Sequence, residues 1–189
     1  MMETIFNSEL FSEVYRQQPE LRAKLSEKIY PIAGDLVMNG LGISPEDKAI
    51  LVNEVEIVIN CAASVNFDDP LLDAIQINFF GCKRMLALAH ECRNIITFTH
   101  VSTAYVNSNQ TISFIEEKIY DLPNGEDPEE VIAEILKMNP QQVSENEQKL
   151  IGNYPNTYTY TKSMSERMLK KTHGDLKVTI VRPSIIISC

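Results

Sequence analysis

"NIITFTHVSTAYV", residues 94–106, is the stretch on which the fold turns. An apolar, β-branched run passes without a break into Ser102, Thr103 and a polar turn. It reads as a strand that delivers hydroxyls at its carboxyl end. Working outward, "EIVINCAA" (56–63) is rich in Ile and Val, the all-apolar kind of strand that parallel sheets bury. "IYPIAGDL" (29–36) reads as a short apolar strand ending at Gly34-Asp35, and "LKVTIVRPSIII" (176–187) as a fourth, stopped by Pro183. Between the strands lie helical patterns. Residues 3–28 carry Leu10, Val14, Leu21 and Leu25 at helical spacing, with Pro19 dividing the run. "SPEDKAILVNEV" (44–55) opens with Ser44 as cap, Pro45 in the first position, and Glu46 and Asp47 in the first turn. Residues 70–92 form a helical stretch interrupted near Asn78 and Gly81, and 157–172 form another helix. Strands alternating with helices predict an α/β fold with a parallel sheet, right-handed crossovers and a ligand crevice at the carboxyl ends of the strands. Asp35, Ala62-Ala63, Ser102-Thr103 and Ser184 follow their strands directly and so fall at that crevice.

The chain has 189 residues, enough for one domain with a full core. Its net charge of −9 argues against a non-specific nucleic-acid surface. The four cysteines, Cys61, Cys82, Cys92 and Cys189, form no CxxC pair. Cys61 and Cys82 stand in apolar surroundings, so the set reads as reduced core cysteines of an intracellular protein. His90, His100 and His173 lack metal-ligand spacing, so no metal is expected. No apolar run reaches the length of a bilayer span, and "MMETIFNSELF" lacks the form of a signal peptide. Residues 112–150 differ from the rest. Ten acidic residues against three lysines give them −7 of the total −9. With a Pro-Asn-Gly turn at 123–125 and a helix at 128–138, this stretch reads as an insertion whose charge is a solvated face.

The chemistry-bearing pattern is "NTYTYTKSMSERML", residues 156–169. Tyr158 and Lys162 are four apart on a helix and share one face, whereas Tyr160 points elsewhere. A free tyrosine, with a pKa of about 10, is a poor proton exchanger at neutral pH, and a nearby ammonium favours its phenolate. The phenol could then trade a proton with a substrate oxygen while a hydride moves, with a hydroxyl such as that of Ser102 orienting the same oxygen.

Taken in order, "PIAGDL", "VINCAASVNFDDPLLDAIQINFFGCKRML", "HVSTAYVNS", "PNTYTYTKSMSERML" and "VRPSII" resemble the extended short-chain dehydrogenase/reductases, and within them the N-terminal NAD(P)-binding domain of the fatty acyl-CoA reductases. The matching pieces span residues 31–187. The resemblance implies a Rossmann-like, doubly wound parallel sheet. It implies Ser102, Tyr158 and Lys162 as catalytic residues, with Thr103 beside Ser102 at the reacting carbonyl. Toward the cofactor, Asp35 and Leu36 would lie by the adenine, and Ala62 and Ala63 under the adenosine or phosphate side. Asn78 would support the active-site helix, Tyr158 and Lys162 would meet the nicotinamide ribose, and Pro183 and Ser184 would border the nicotinamide amide. The implied reaction is reduction of a long-chain fatty acyl-CoA to a primary alcohol with two NADPH, at a peroxisomal or endoplasmic-reticulum membrane reached through regions outside this chain.

One part of the pattern is missing. A dinucleotide fold opens with a strand and a G-x-G-x-x-G turn. Here Gly40 and Gly42 make a G-x-G, but Pro45 stands where the third glycine belongs. The sheet is therefore expected to be incomplete, without its first strand and glycine-rich loop, and the chain to be a fragment that is inactive and marginally stable. Two other functions stay open at this point. One is a reductase of the same fold acting on a sugar nucleotide or a 3β-hydroxysteroid. The other is a non-catalytic fragment that binds a protein partner through residues 112–150.

Overall fold

The computed structural model describes residues 7–186. The start of the expected first helix (3–6), Ile187 and Cys189 lie outside that range. The chain forms two compact units, 1–33 and 34–189. The first holds α1 (Ser12–Gln17) and α2 (Leu21–Lys28). The expected break falls around Pro19, where the ring cannot donate the helical hydrogen bond. Val14 nevertheless faces solvent and is not part of a buried stripe.

The second unit runs α3 (Pro45–Glu54), β1 (Ile57–Asn60), α4 (Leu71–Ala74), a π-helical segment (Ile75–Phe80), α5 (Gly81–Glu91), β2 (Thr97–Val101), α6 (Pro128–Leu136), α7 (Pro140–Ile151), α8 (Thr157–Thr172) and β3 (Val178–Val181). Ser44 caps α3 as expected, its hydroxyl accepting the Asp47 N–H at 3.0 Å. The three strands are parallel in the order β1-β2-β3. Val58 and Asn60 stand opposite Phe98 and His100, which stand opposite Val178 and Ile180. That places Val58, Asn60, Phe98, His100 and Ser102 on one buried side. There Phe98 and Val58 join a core with Phe79 of the π segment and Met164 and Met168 of α8.

Two expectations about strands are corrected. "IYPIAGDL" is not a strand: its backbone is extended at Ile29, but none of it pairs in the sheet. From Asp35 onward the polar groups are spent on a turn. The Asp35 N–H donates to the Leu41 carbonyl at 2.7 Å, and its carboxylate accepts the Val37 N–H at 3.0 Å. "EIVINCAA" is buried on one face only. Val58 and Asn60 are covered, while Ile57 and Ile59 are 56% and 65% exposed.

The charge of the 112–150 segment lies largely on the surface, as expected, but its apolar residues do not. A second helix, α7, follows α6. Asn139 starts it with a capping box, accepting the Gln142 N–H while the Gln142 side chain accepts the Asn139 N–H. Ile132, Ile135, Val143 and Ile151 from this pair of helices enter the core. Two of the acidic residues pair with α8: Lys170 meets Asp121 at 2.7 Å, and Lys171 meets Asp127. Both lysines lie in the last turn of α8, where cations also favour the helix dipole.

Candidate active site

Asn156 begins α8 by accepting the Thr159 N–H at 2.8 Å, which sets Tyr158 and Lys162 in the first two turns. Lys162 is 3% exposed, and its ammonium donates to the Val101 carbonyl at the end of β2, at 2.8 Å. Burial pulls its pKa below the ordinary lysine value, with the Cys82 and Cys61 thiols and Glu166 opposing. Tyr158 is half-buried. Burial raises its pKa above 10, and a hydrogen bond from the Thr103 hydroxyl draws it back in part. The phenol is thus a neutral proton donor at pH 7. The expected depression by Lys162 is not what governs Tyr158, because the ammonium is committed to the β2 carbonyl.

Of the two hydroxyls that follow β2, Thr103's is the one that bears on the Tyr158 pKa. Thr103 Oγ1 accepts the Tyr105 N–H at 3.3 Å, so its own proton is available to the phenol. Ser102 is 3% exposed, and its Oγ has no hydrogen-bond partner among the described residues. A buried orphan hydroxyl is costly unless something completes it. The turn is held from β3: Ser102 N–H donates to Val181 O at 2.7 Å and Ala104 N–H to Pro183 O at 2.9 Å. Pro183 and the exposed Ser184 therefore do border this turn. Tyr160 is buried edge-on against Tyr154 and takes no part.

Asn78 is a brace. Its Oδ1 accepts the Ser64 N–H at 2.9 Å, and its Nδ2 donates to the Ser64 carbonyl at 3.2 Å and to Thr161 Oγ1 at 3.1 Å. Its carbonyl accepts from Ser165 Oγ at 3.0 Å. The residue thereby ties the loop after β1 to α8. Ala62 and Ala63 begin that loop, the first exposed and the second half-buried. Asp35 and Leu36 lie in the separate turn described above. Leu36 packs against Gly81, where a Cβ would come within 3.2 Å, and its carbonyl accepts from Arg84 at 2.8 Å.

Behind Lys162 lies a polar cluster that the sequence reading did not single out. Asn60 Nδ2 and His100 Nδ1 are 3.1 Å apart, and Cys82 Sγ is 3.6 Å from the same nitrogen. Burial first, then the Lys162 charge, drives the His100 pKa down to about 3, so the ring is neutral. Burial pushes the Cys82 thiol up to about 12, which leaves it unreactive. The alignment of Asn60 with His100 across β1 and β2 was the available signal, but it needs the register. Cys61 is exposed rather than buried, which corrects its reading as a core cysteine: it lies just past the last residue of β1. A cavity of about 380 Å³ lies at the far end of α8, lined by Arg167, Lys170 and Asp121 among others. Nine residues of helix, ~14 Å, separate its nearest lining residue on α8 from Tyr158, so it is not part of this site.

With this geometry in hand, the chain was compared with known proteins. Residues 1–188 match the male sterility protein family, an NAD-binding family. The chain belongs to it. Among its relatives, fatty acyl-CoA reductase 1 of Mus musculus is 37% identical over 98% of this chain, and fatty acyl-CoA reductase 2 of Mus musculus is 38% identical over 96%. The chain spans about a third (34%) of the length of each. Two solved structures share the fold. The terminal R domain from the myxalamid PKS-NRPS biosynthetic pathway has a TM-score of 0.57 at 24% identity, over 85% of this chain and 34% of that one. A thiolation-reductase di-domain from an archaeal non-ribosomal peptide synthetase has a TM-score of 0.54 at 21% identity, over 86% and 29%. The Rossmann-like α/β reading and the fatty acyl-CoA reductase resemblance both stand.

A nicotinamide cofactor is what this NAD-binding family implies, and the residues at one end of the sheet fit it. The orphan Ser102 hydroxyl offers a buried polar partner, Ala62 and Ala63 keep the approach past β1 low, and Lys162 and Tyr158 converge on the same strand end.

Proposed function

We propose that this chain carries the proton-transfer centre of an NADPH-dependent, alcohol-forming fatty acyl-CoA reductase. The observation that carries the reading is Lys162, buried and donating to the Val101 carbonyl at 2.8 Å at the carboxyl end of β2, with Tyr158 one turn before it on α8, in a chain of this family. The cofactor, when bound, supplies hydride to the substrate carbonyl carbon. Lys162 and Tyr158 would hold its ribose side, with Ser102, Pro183 and Ser184 toward the nicotinamide and Asp35 and Leu36 toward the adenine.

The chain's own residues handle the oxygen and its proton. In the first reduction the thioester carbonyl carbon gains a hydride and loses its C–S bond, giving aldehyde and free CoA. In the second, the aldehyde carbon gains a hydride, and its oxygen takes the Tyr158 proton to become the alcohol. Thr103 steadies the phenol during that transfer, and its raised pKa keeps the proton in place at neutral pH. We place the site of action at a peroxisomal or endoplasmic-reticulum membrane, on the strength of the family resemblance.

The test is NADPH oxidation by the protein with a long-chain acyl-CoA, with the products separated into aldehyde and alcohol. Tyr158→Phe is expected to lower turnover by about two to four orders of magnitude while leaving the far-ultraviolet circular dichroism unchanged. Equal activity in the variant removes Tyr158 from the chemistry. Turnover only on sugar nucleotides or steroids redirects the substrate class.

A further inference from the structure

Phe67 is an apolar ring, 57% exposed, with no part in the proton transfer described above. Yet it rests on Tyr158, with ring centroids 5.5 Å apart and planes tilted by 35°. That separation lies in the range where aromatic pairs attract. The loop that presents it is clamped at both ends. At Ser64, the backbone makes two bonds to Asn78, and the hydroxyl donates to the Asp69 carboxylate. The other Asp69 carboxylate oxygen accepts from Asn66 Nδ2 at 2.7 Å, and Asn66 Oδ1 in turn accepts the Asp68 N–H at 3.2 Å. The Asp69 carbonyl accepts from Thr157 Oγ1 at 2.9 Å, and Thr157 is the residue immediately before Tyr158. The segment thus closes on itself and is anchored to both helices that frame the site. Such bonding is more than a connection of this length needs, and it fixes where Phe67 stands.

We propose that Phe67 is a positioning residue for Tyr158: its ring holds the phenol against Thr103 and keeps water off the face it covers. The proposal rests on Tyr158 being the proton donor. It assigns the Ser64–Asp69 loop the task of fixing the donor's aim, a task that neither Thr103 nor Lys162 performs alone. Removing the ring frees the tyrosine to rotate and hydrates it.

Two readouts test this. In protein labelled with ¹³C at the tyrosine ζ carbons, the Tyr158 signal is assigned with Tyr158→Phe and followed through a pH titration. Phe67→Ala is expected to move the Tyr158 midpoint down toward the ordinary value of 10, and Phe67→Tyr to restore it. In NADPH oxidation, Phe67→Ala is expected to lower kcat about tenfold with KM changed less than about twofold, again with rescue by Phe67→Tyr. Phe67→Leu, which keeps apolar bulk without the ring, stands in if the alanine variant fails to fold. An unmoved Tyr158 titration in a folded variant overturns the proposal whatever the activity. A titration that moves and is rescued, in a protein that never oxidises NADPH, supports the placement by Phe67 and overturns the reductase reading instead.

Discussion

The two faces of the sheet are built from the same kind of residue and live in different surroundings. On one face Val58, Phe98 and His100 are buried beneath the π segment and α8. On the other, Ile57 and Ile59 are more than half exposed, and Val181 is 45% exposed. In β1 and β3, Ile and Val occur on both sides, whether covered or not. What separates the faces is that one is roofed by a helix whose polar side chains have partners in the layer below. The helices therefore decide which half of each strand stabilises the fold.

The contrast can be broken most severely at Phe98, fully buried in the middle strand. Phe98→Ala is expected to cost about 3–5 kcal/mol, read as a fall in the urea midpoint at unchanged slope. A cost below ~1 kcal/mol would mean that the roofed face is not the core.

A second probe sharpens the comparison through pH. His100 sits on the roofed face with its folded-state pKa lowered from 6.5 to about 3. Below 6.5 the unfolded chain binds a proton that the folded chain refuses, so stability falls as pH drops from 6.5 toward 3. The slope from this one group is at most ~1.4 kcal/mol per pH unit. His100→Gln is expected to flatten that part of the profile. A profile that keeps the wild-type slope places the imidazole in contact with solvent.

The smallest effect belongs to the open face. Ile59→Thr, two-thirds exposed on a strand that tolerates β-branched residues, is expected to change stability by no more than ~0.5 kcal/mol. A loss of several times that amount in the same urea titration would show that Ile59 is covered in solution.

Local chemistry made parts of this molecule readable in advance. Tyr158 and Lys162 declare a shared helical face by their spacing, Ser44-Pro45 declares a helix start, and Ser102-Thr103 declares a strand end. Each of those signals spans a few residues and needs no partner elsewhere in the chain. The rest depended on contacts distant in sequence. "IYPIAGDL" has strand-like residues, but a strand exists only when paired. How Ser102 and Ala104 are pinned by Val181 and Pro183 could not be read without the pairing of β2 with β3. The Asn60–His100–Cys82 cluster joins positions up to 40 residues apart. Helix α7 was the exception, since Asn139, Pro140 and Gln142 form a local start signal that its acidic surroundings masked.

Every residue of α8 from Thr159 to Leu169 is buried, polar and apolar alike. Thr161 and Ser165 bond toward Asn78, Ser163 and Arg167 toward Tyr154, and Glu166 toward Arg182. Such a helix offers variation almost no neutral ground, because each direction around its axis is already answered by a neighbour. Exposed aromatic and aliphatic side chains are found on the loops, among them Val65, Phe67, Ile112 and Phe114. Descendants of this chain can change their loops while inheriting α8 nearly intact, so the surface is free to diverge faster than the helix beneath it.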